Sequence, residues 1–229
     1  MASLYVFFLY LSVDVDQLRT HKPLYDVKSK AYRLTKNSDS WIDSSKVSHI
    51  AKWAIVVSED WAFFEHQGVD YNQLKIVLEE FLETGVLSRG ASTISQQVVK
   101  NIFLDNERSI LRKFKELIIT YKLEKKLSKK EILEVYLNLI ELGKNIYGIK
   151  DASYYYFEKH PSKLTAKEGA FLAMLLPSPR KYSSSFREGK LSEFAKETIH
   201  SILIKLRQAK KITEQQRVVF EDESFFWEE

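Results

Sequence analysis

Cysteine is absent from the 229 residues, and seven glycines with four prolines make eleven positions, about 5% of the chain where average usage is roughly 12%. Without cysteine there is no disulfide framework, no thiolate zinc site and no cysteine nucleophile. The same absence does not assign a compartment, because envelope and surface proteins can also do without the residue. So few turn residues argue against a sandwich, barrel or propeller, each of which needs many short strands. An apolar share of 45% beside 29% charged residues excludes a disordered chain.

A long hydrophobic run is also missing. Leu4 to Val13 (LYVFFLYLSV) stops at ten residues, and a spanning helix needs roughly 20. No Lys or Arg precedes the run and no small-x-small cleavage site follows it, so it makes a poor signal peptide. Residues 1–13 are expected to be the outer part of a membrane anchor whose start lies before residue 1, or else an ordinary buried segment. Residues 14–44 lack clear periodicity and suggest an extended lead-in.

Positive charge is present but concentrated. Of the net +4, the stretch from Lys100 to Lys130 carries ten Lys/Arg against four Asp/Glu, a local +6 that leaves −2 for all the rest. Such a segment suits a polyanion, an anionic lipid surface or a phosphorylated substrate, or it is a solvated helix face.

Helical periodicity dominates from Asp43 onward. Val47, Ile50, Ala51, Ala54 and Ile55 predict a helix toward Ser58, with Glu59 at its end or just beyond. Leu74 to Leu82 is a second amphipathic stretch, and Gly85 to Ser92 reads as a loop. Ile110, Leu111, Phe114, Leu117, Ile118 and Tyr121 form one apolar stripe, which predicts a helix from Ser109 to about Leu127 with Arg112 and Glu116 on the opposite, polar side. Capping boxes at Ser128/Glu131, Thr165/Glu168 and Thr213/Gln216 open helices over about 129–140, 166–176 and beyond 213. A further helix covers 191–209, and Pro177 and Pro179 stop the one before it.

Single candidate sites are weak. Ser58-Glu59-Asp60 with His66 and Gly68 fits either an acid/base site or a helix C-terminus. Gly90 to Gln97 (GASTISQQ) suits polyhydroxylated or phosphate groups, although an N-cap explains Ser92 equally well. Arg112 and Glu116 fit an i,i+4 ion pair. His66 has no second ligand at metal spacing, so no zinc site is read.

In order, however, SEDWAFFEHQG from Ser58, GASTISQQVVKN from Gly90, RKFKE from Arg112 and KKEILEVYLN from Lys129 resemble the successive motifs of glycosyltransferase family 51, the peptidoglycan glycosyltransferases. The resemblance continues through Gly148 to Phe157 and Glu168 to Pro179, covering about residues 45–182. No penicillin-binding domain follows, which makes the chain similar to the monofunctional, biosynthetic branch. The resemblance implies a mainly α fold: a lysozyme-like large helical lobe with a smaller mobile jaw lobe, here about residues 71–92 of a domain spanning 45–220, followed by a tail at 221–229. It implies polymerisation of lipid II by inverting transfer, with undecaprenyl diphosphate released. Glu59 matches the catalytic base and Glu116 the second essential carboxylate. Substrate contacts carry over to Asp60, His66, Ser92, Thr93, Gln96, Gln97, Lys100, Asn101, Arg108, Arg112, Lys113, Glu134, Tyr136 and Asn138.

A divalent cation, Mg²⁺ or another, is expected to bridge diphosphate and carboxylate, although the sequence holds no self-sufficient metal cage, and no organic cofactor is implied. The implied partners are lipid II, the growing glycan strand, the membrane and other cell-wall synthesis or division proteins, not nucleic acid. The implied location is the bacterial inner membrane, with the catalytic domain on its outer, periplasmic face. A lysozyme-like hydrolase or lytic enzyme and a non-catalytic wall-synthesis scaffold are the rival readings.

Overall fold

The computed structural model describes Phe8 and residues 10–86, 90–105, 107 and 109–228. Half of the Leu4–Val13 run and all of Arg108 lie outside the described residues. The fold is mainly α, as expected. Eleven α-helices are present among the described residues, with two small antiparallel hairpins.

Two short strands, β1 (Lys22–Asp26) and β2 (Ala31–Thr35), precede the helices. Then come α1 (His49–Glu59), α2 (Tyr71–Thr84), α3 (Ile94–Phe103), α4 (Ile110–Lys126) and α5 (Lys129–Leu139). The hairpin of β3 (Glu141–Gly143) and β4 (Ile146–Tyr147) leads to α6 (Ile149–Phe157) and α7 (Ala166–Leu175). Two single turns, α8 (Pro179–Tyr182) and α9 (Ser184–Arg187), join α7 to α10 (Glu193–Gln208) and α11 (Glu214–Asp222).

Most of the longer helices start on a side-chain cap. Ser48, Asp70, Thr93, Ser109, Ser128, Thr165, Ser192 and Thr213 each accept a backbone N–H from the first turn. The three predicted capping boxes form, and Thr93 with Gln96 makes a fourth. Each cap stabilises its helix by about 1 kcal/mol.

Every residue of α7 is buried. A helix apolar nearly all round belongs in the centre of a fold, and α1 and α10 pack against it. Gly169 sets the α1–α7 distance, because a Cβ there would lie 2.6 Å from the Ala51 Cα. The helix that carries Glu59 at its carboxyl end is thereby packed on the fully buried α7.

Residues 14–44 differ from the expected extended lead-in. Val15, Leu18 and Ile42 are buried, and β1 pairs with β2 in a register that sets Tyr25 opposite Tyr32. Asn138 fixes the following segment by accepting the Ile42 N–H and donating to the Ile42 carbonyl, both at 2.8 Å. The charged residues at 26, 28 and 30 had hidden the strand alternation. The terminal residues are also anchored: Phe225 is buried and stacks on Trp227, with ring centroids 4.8 Å apart.

An amphipathic helix ordinarily buries its apolar stripe, and α4 does the reverse. Ile110 is 91% exposed, and Leu111, Phe114, Leu117 and Tyr121 also face outward, whereas Glu116, Ile119, Thr120, Lys122 and Leu123 are buried. On α2 only Val77 of the apolar residues is buried, while Leu74, Leu78, Phe81 and Leu82 are exposed.

The α1–α7 contact yields a prediction. Gly169→Ala gains up to ~1 kcal/mol of helix propensity but forces overpacking against backbone, at a typical cost of 1–3 kcal/mol. Thermal unfolding of this variant shows a lowered Tm; an unchanged or higher Tm contradicts the close approach.

Candidate active site

Two motifs that are distant in sequence form one hydrogen-bonded unit. Asp60, just past the end of α1, accepts the Ile94 N–H at 2.9 Å and so satisfies a free donor of the α3 amino terminus. Its other oxygen takes His66 Nε2 at 2.8 Å. His66 Nδ1 accepts the Gly68 N–H at 3.1 Å, so the proton of the neutral ring sits on Nε2 and is donated to Asp60. The Gly68 carbonyl accepts the Thr93 hydroxyl at 2.7 Å. Gly68 has φ +92°, and a Cβ there would meet Thr120 Cγ2 at 2.7 Å, so both conformation and space require glycine.

This unit fixes Glu59 beside α3. Gln97 Nε2 donates to Glu59 Oε2 at 2.8 Å, while Gln97 Oε1 accepts the Tyr136 hydroxyl at 3.3 Å. Burial pushes the Glu59 carboxyl above its ordinary value of 4.5; the neighbouring Asp60 charge adds to the rise, and Gln97, Tyr136 and Lys205 oppose it. Burial likewise pushes the Tyr136 phenol up, so it stays a neutral donor. Glu59 opens onto a cleft of about 940 Å³. Its walls include Asp60, Ser92, Thr93, Gln97 and Lys100.

The second carboxylate is buried in a different way. Glu116 is 2% exposed and paired on one oxygen with Lys113 and on the other with Arg112, 3.5 Å away. Lys113 Nζ reaches Ser92 Oγ at 3.4 Å and Gln96 Oε1 at 3.5 Å, which ties α4 to the cleft-lining start of α3. The i,i+4 pair expected from sequence forms, but with Glu116 buried instead of on a solvated face. Arg112 Nε is buried and makes no hydrogen bond among the described residues.

Of the expected contacts, Glu59, Asp60, Ser92, Thr93, Gln97 and Lys100 meet in the cleft, with Tyr136 behind Gln97 and Gln96 behind Thr93. Asn101 lines a neighbouring hollow with Lys100. His66 is engaged by Asp60 and Gly68. Glu134 and Asn138 are brought elsewhere: Glu134 accepts the Ser44 N–H and the Trp41 indole N–H, and Asn138 holds Ile42. Sequence reasoning missed Lys205 and Gln208 of α10, which line the cleft together with Leu176 and Pro177. A lysine on a helix of mixed charge carries no signal of its own.

A buried carboxyl of raised proton affinity thus stands at the wall of a cleft in a mainly α fold, with cations nearby. A family model described as transglycosylase matches residues 27–207, and the chain belongs to that family. It is 43% identical over 151 residues to a biosynthetic peptidoglycan transglycosylase of Acinetobacter baumannii, covering 66% of this chain and 67% of the relative. Proteins of the same name from Nitrosomonas eutropha and a Janthinobacterium species are 39% and 44% identical over 156 and 142 residues, covering 68% and 62% of this chain and 64% and 62% of the relatives.

Glu59→Gln keeps the shape and removes the ionisable carboxyl; if Glu59 is the base that the family resemblance implies, turnover falls at least about 10²-fold, the scale of a lost general base. A buried carboxylate with a raised pKa costs stability when ionised, so at pH 7 the variant's Tm is retained or higher. Paired activity and melting measurements check this; parental turnover, or a collapsed Tm, contradicts it.

Proposed function

We propose that this peptidoglycan glycosyltransferase, an enzyme of the cell envelope, joins lipid-linked disaccharides into glycan strands. The 4-hydroxyl of the acceptor sugar attacks the anomeric carbon of the donor while Glu59 takes the hydroxyl proton. The bond from that carbon to the diphosphate breaks, and the bonding pair leaves with the undecaprenyl diphosphate. A single displacement turns the α-linked donor into a β-linked product. No organic cofactor is needed, because the diphosphate is already a good leaving group.

The observation that carries this reading is the contrast between the two glutamates. Glu59 meets only neutral donors at hydrogen-bond range, Gln97 foremost, and is held at a raised pKa, as a base requires. Glu116 has both oxygens engaged by cations, so it organises Lys113 and Arg112 instead of accepting a proton. Those two cations, with Lys100, suit the charge that develops on the diphosphate. A glycan hydrolase working through paired carboxylates would need its second one free. Among the described residues no group of three His, Asp or Glu side chains stands ready for a metal, and Glu116 is already taken. A divalent cation, if one takes part, would then travel with the diphosphate and not sit in a cage of the described residues.

The outward stripe of α4 and the exposed apolar residues of α2 support apposition to the membrane that holds the polyprenyl tail. These side chains are exposed among the described residues, and interfacial helices bury such faces at the acyl–headgroup boundary. No helix among the described residues is long and apolar enough to cross a bilayer.

Labelled lipid II separates the readings: polymer appears if the enzyme is a polymerase, a preformed strand shortens if it is a hydrolase, and neither occurs for a scaffold. Polymer in the parental protein, together with strong loss in Glu116→Gln, is the expected result; cleavage or inactivity overturns the proposal. In vesicle flotation the parental protein rises with the lipid, and Leu111→Glu with Phe114→Glu weakens this without lowering Tm. Equal flotation removes α4 from the membrane contact.

A further inference from the structure

We propose that a second hollow, walled by the β1–β2 hairpin, holds sugar units of the glycan strand beyond the pair that reacts. This rests on the polymerase reading and extends it to a site outside the chemistry. The hollow has a volume of about 560 Å³, within the roughly 300–1,000 Å³ common for small-ligand sites. It joins the catalytic cleft along Gln97, Lys100 and Leu176, which line both spaces. Glu59 lines only the first. A strand running through both would therefore react in one and be held in the other.

The lining fits a saccharide. Tyr25 and Tyr147 stack with centroids 4.0 Å apart, and Tyr32 meets Tyr25 edge-on at 5.2 Å. Around these rings stand the ammonium of Lys30, the amide of Asn101 and the carboxylate of Glu141. A pyranose offers C–H faces to aromatic rings and hydroxyls to such polar groups, whereas a polyprenyl chain has no use for the latter. The wall is also pre-set. Tyr32 donates its hydroxyl to the Leu139 carbonyl at the end of α5, and the Tyr25–Tyr147 stack locks β1 to β4. Little ordering cost then remains for binding. Ser29 and Lys30 sit at the exposed turn, where a strand can enter or leave.

The experiment uses the full chain and a soluble β-1,4-linked N-acetylglucosamine tetrasaccharide, followed by backbone amide shifts. Shifts at residues 25–32 and 147 are expected, and Tyr25→Ala weakens binding about tenfold, which a lost contact of ~1.4 kcal/mol produces. With lipid II, the same variant forms the first glycosidic bond at the parental rate but releases shorter strands. Lys30→Glu, a change at an exposed turn, gives the same shortening and carries the test if Tyr25→Ala lowers the Tm. Shifts absent from the hairpin, or strands of parental length in a folded variant, overturn the proposal. The tetrasaccharide titration needs no turnover, so failure of the polymerase reading shows separately, as a parental protein that makes no polymer.

Discussion

The Asp60 carboxylate is the point on which the site depends. It closes the end of α1, completes the start of α3 through the Ile94 N–H, and orients His66, which in turn holds Gly68 and Thr93. These bonds are short, largely buried and directional, so α1 and α3 are held at a fixed spacing. That spacing puts Gln97 on Glu59. Without Asp60, the α3 amino terminus would lose an acceptor and His66 its hydrogen-bond partner, and Glu59 would lose its fixed neighbour.

A second constraint comes from α4. By turning its polar face inward, the helix buries Glu116, whose oxygens are held by the partly exposed Arg112 and Lys113, against the opening of α3. Burying ions is costly unless they are mutually paired, and here both Glu116 oxygens are engaged. The same rotation leaves an apolar stripe in contact with whatever lies outside. In water that stripe would be a liability. At a lipid surface it would be stabilising, so under the proposed function one rotation would serve both a diphosphate site and apposition to the bilayer.

Much of this was legible in the sequence because it is local. Ser128, Thr165 and Thr213 announced their helices, and the apolar period of 47–55 placed Glu59 at a helix end. The Thr93–Gln96 capping box was hidden by the glycine of the GAS loop. Other features depend on partners far away in the chain. Nothing at Asp60 points to Ile94, nothing at Asn138 points to Ile42, and Lys205 reaches the cleft only because α10 packs on α7. The direction of α4 was illegible for another reason: a stripe shows that a helix has two faces, and only the surroundings decide which is inside. The β1–β2 hairpin escaped notice because its charged positions break the alternation that marks a strand.

The central claim is that Glu59 is a buried base whose proton affinity is set upward by burial and restrained by Gln97. A carbon-detected titration of the Glu59 side-chain carboxyl, assigned by difference against Glu59→Gln, tests it directly. The account predicts a midpoint above the ordinary 4.5, and a further rise in Gln97→Leu, where the donor that favours the ionised form is gone. A midpoint at or below 4.5, or one that Gln97→Leu leaves in place or lowers, contradicts it.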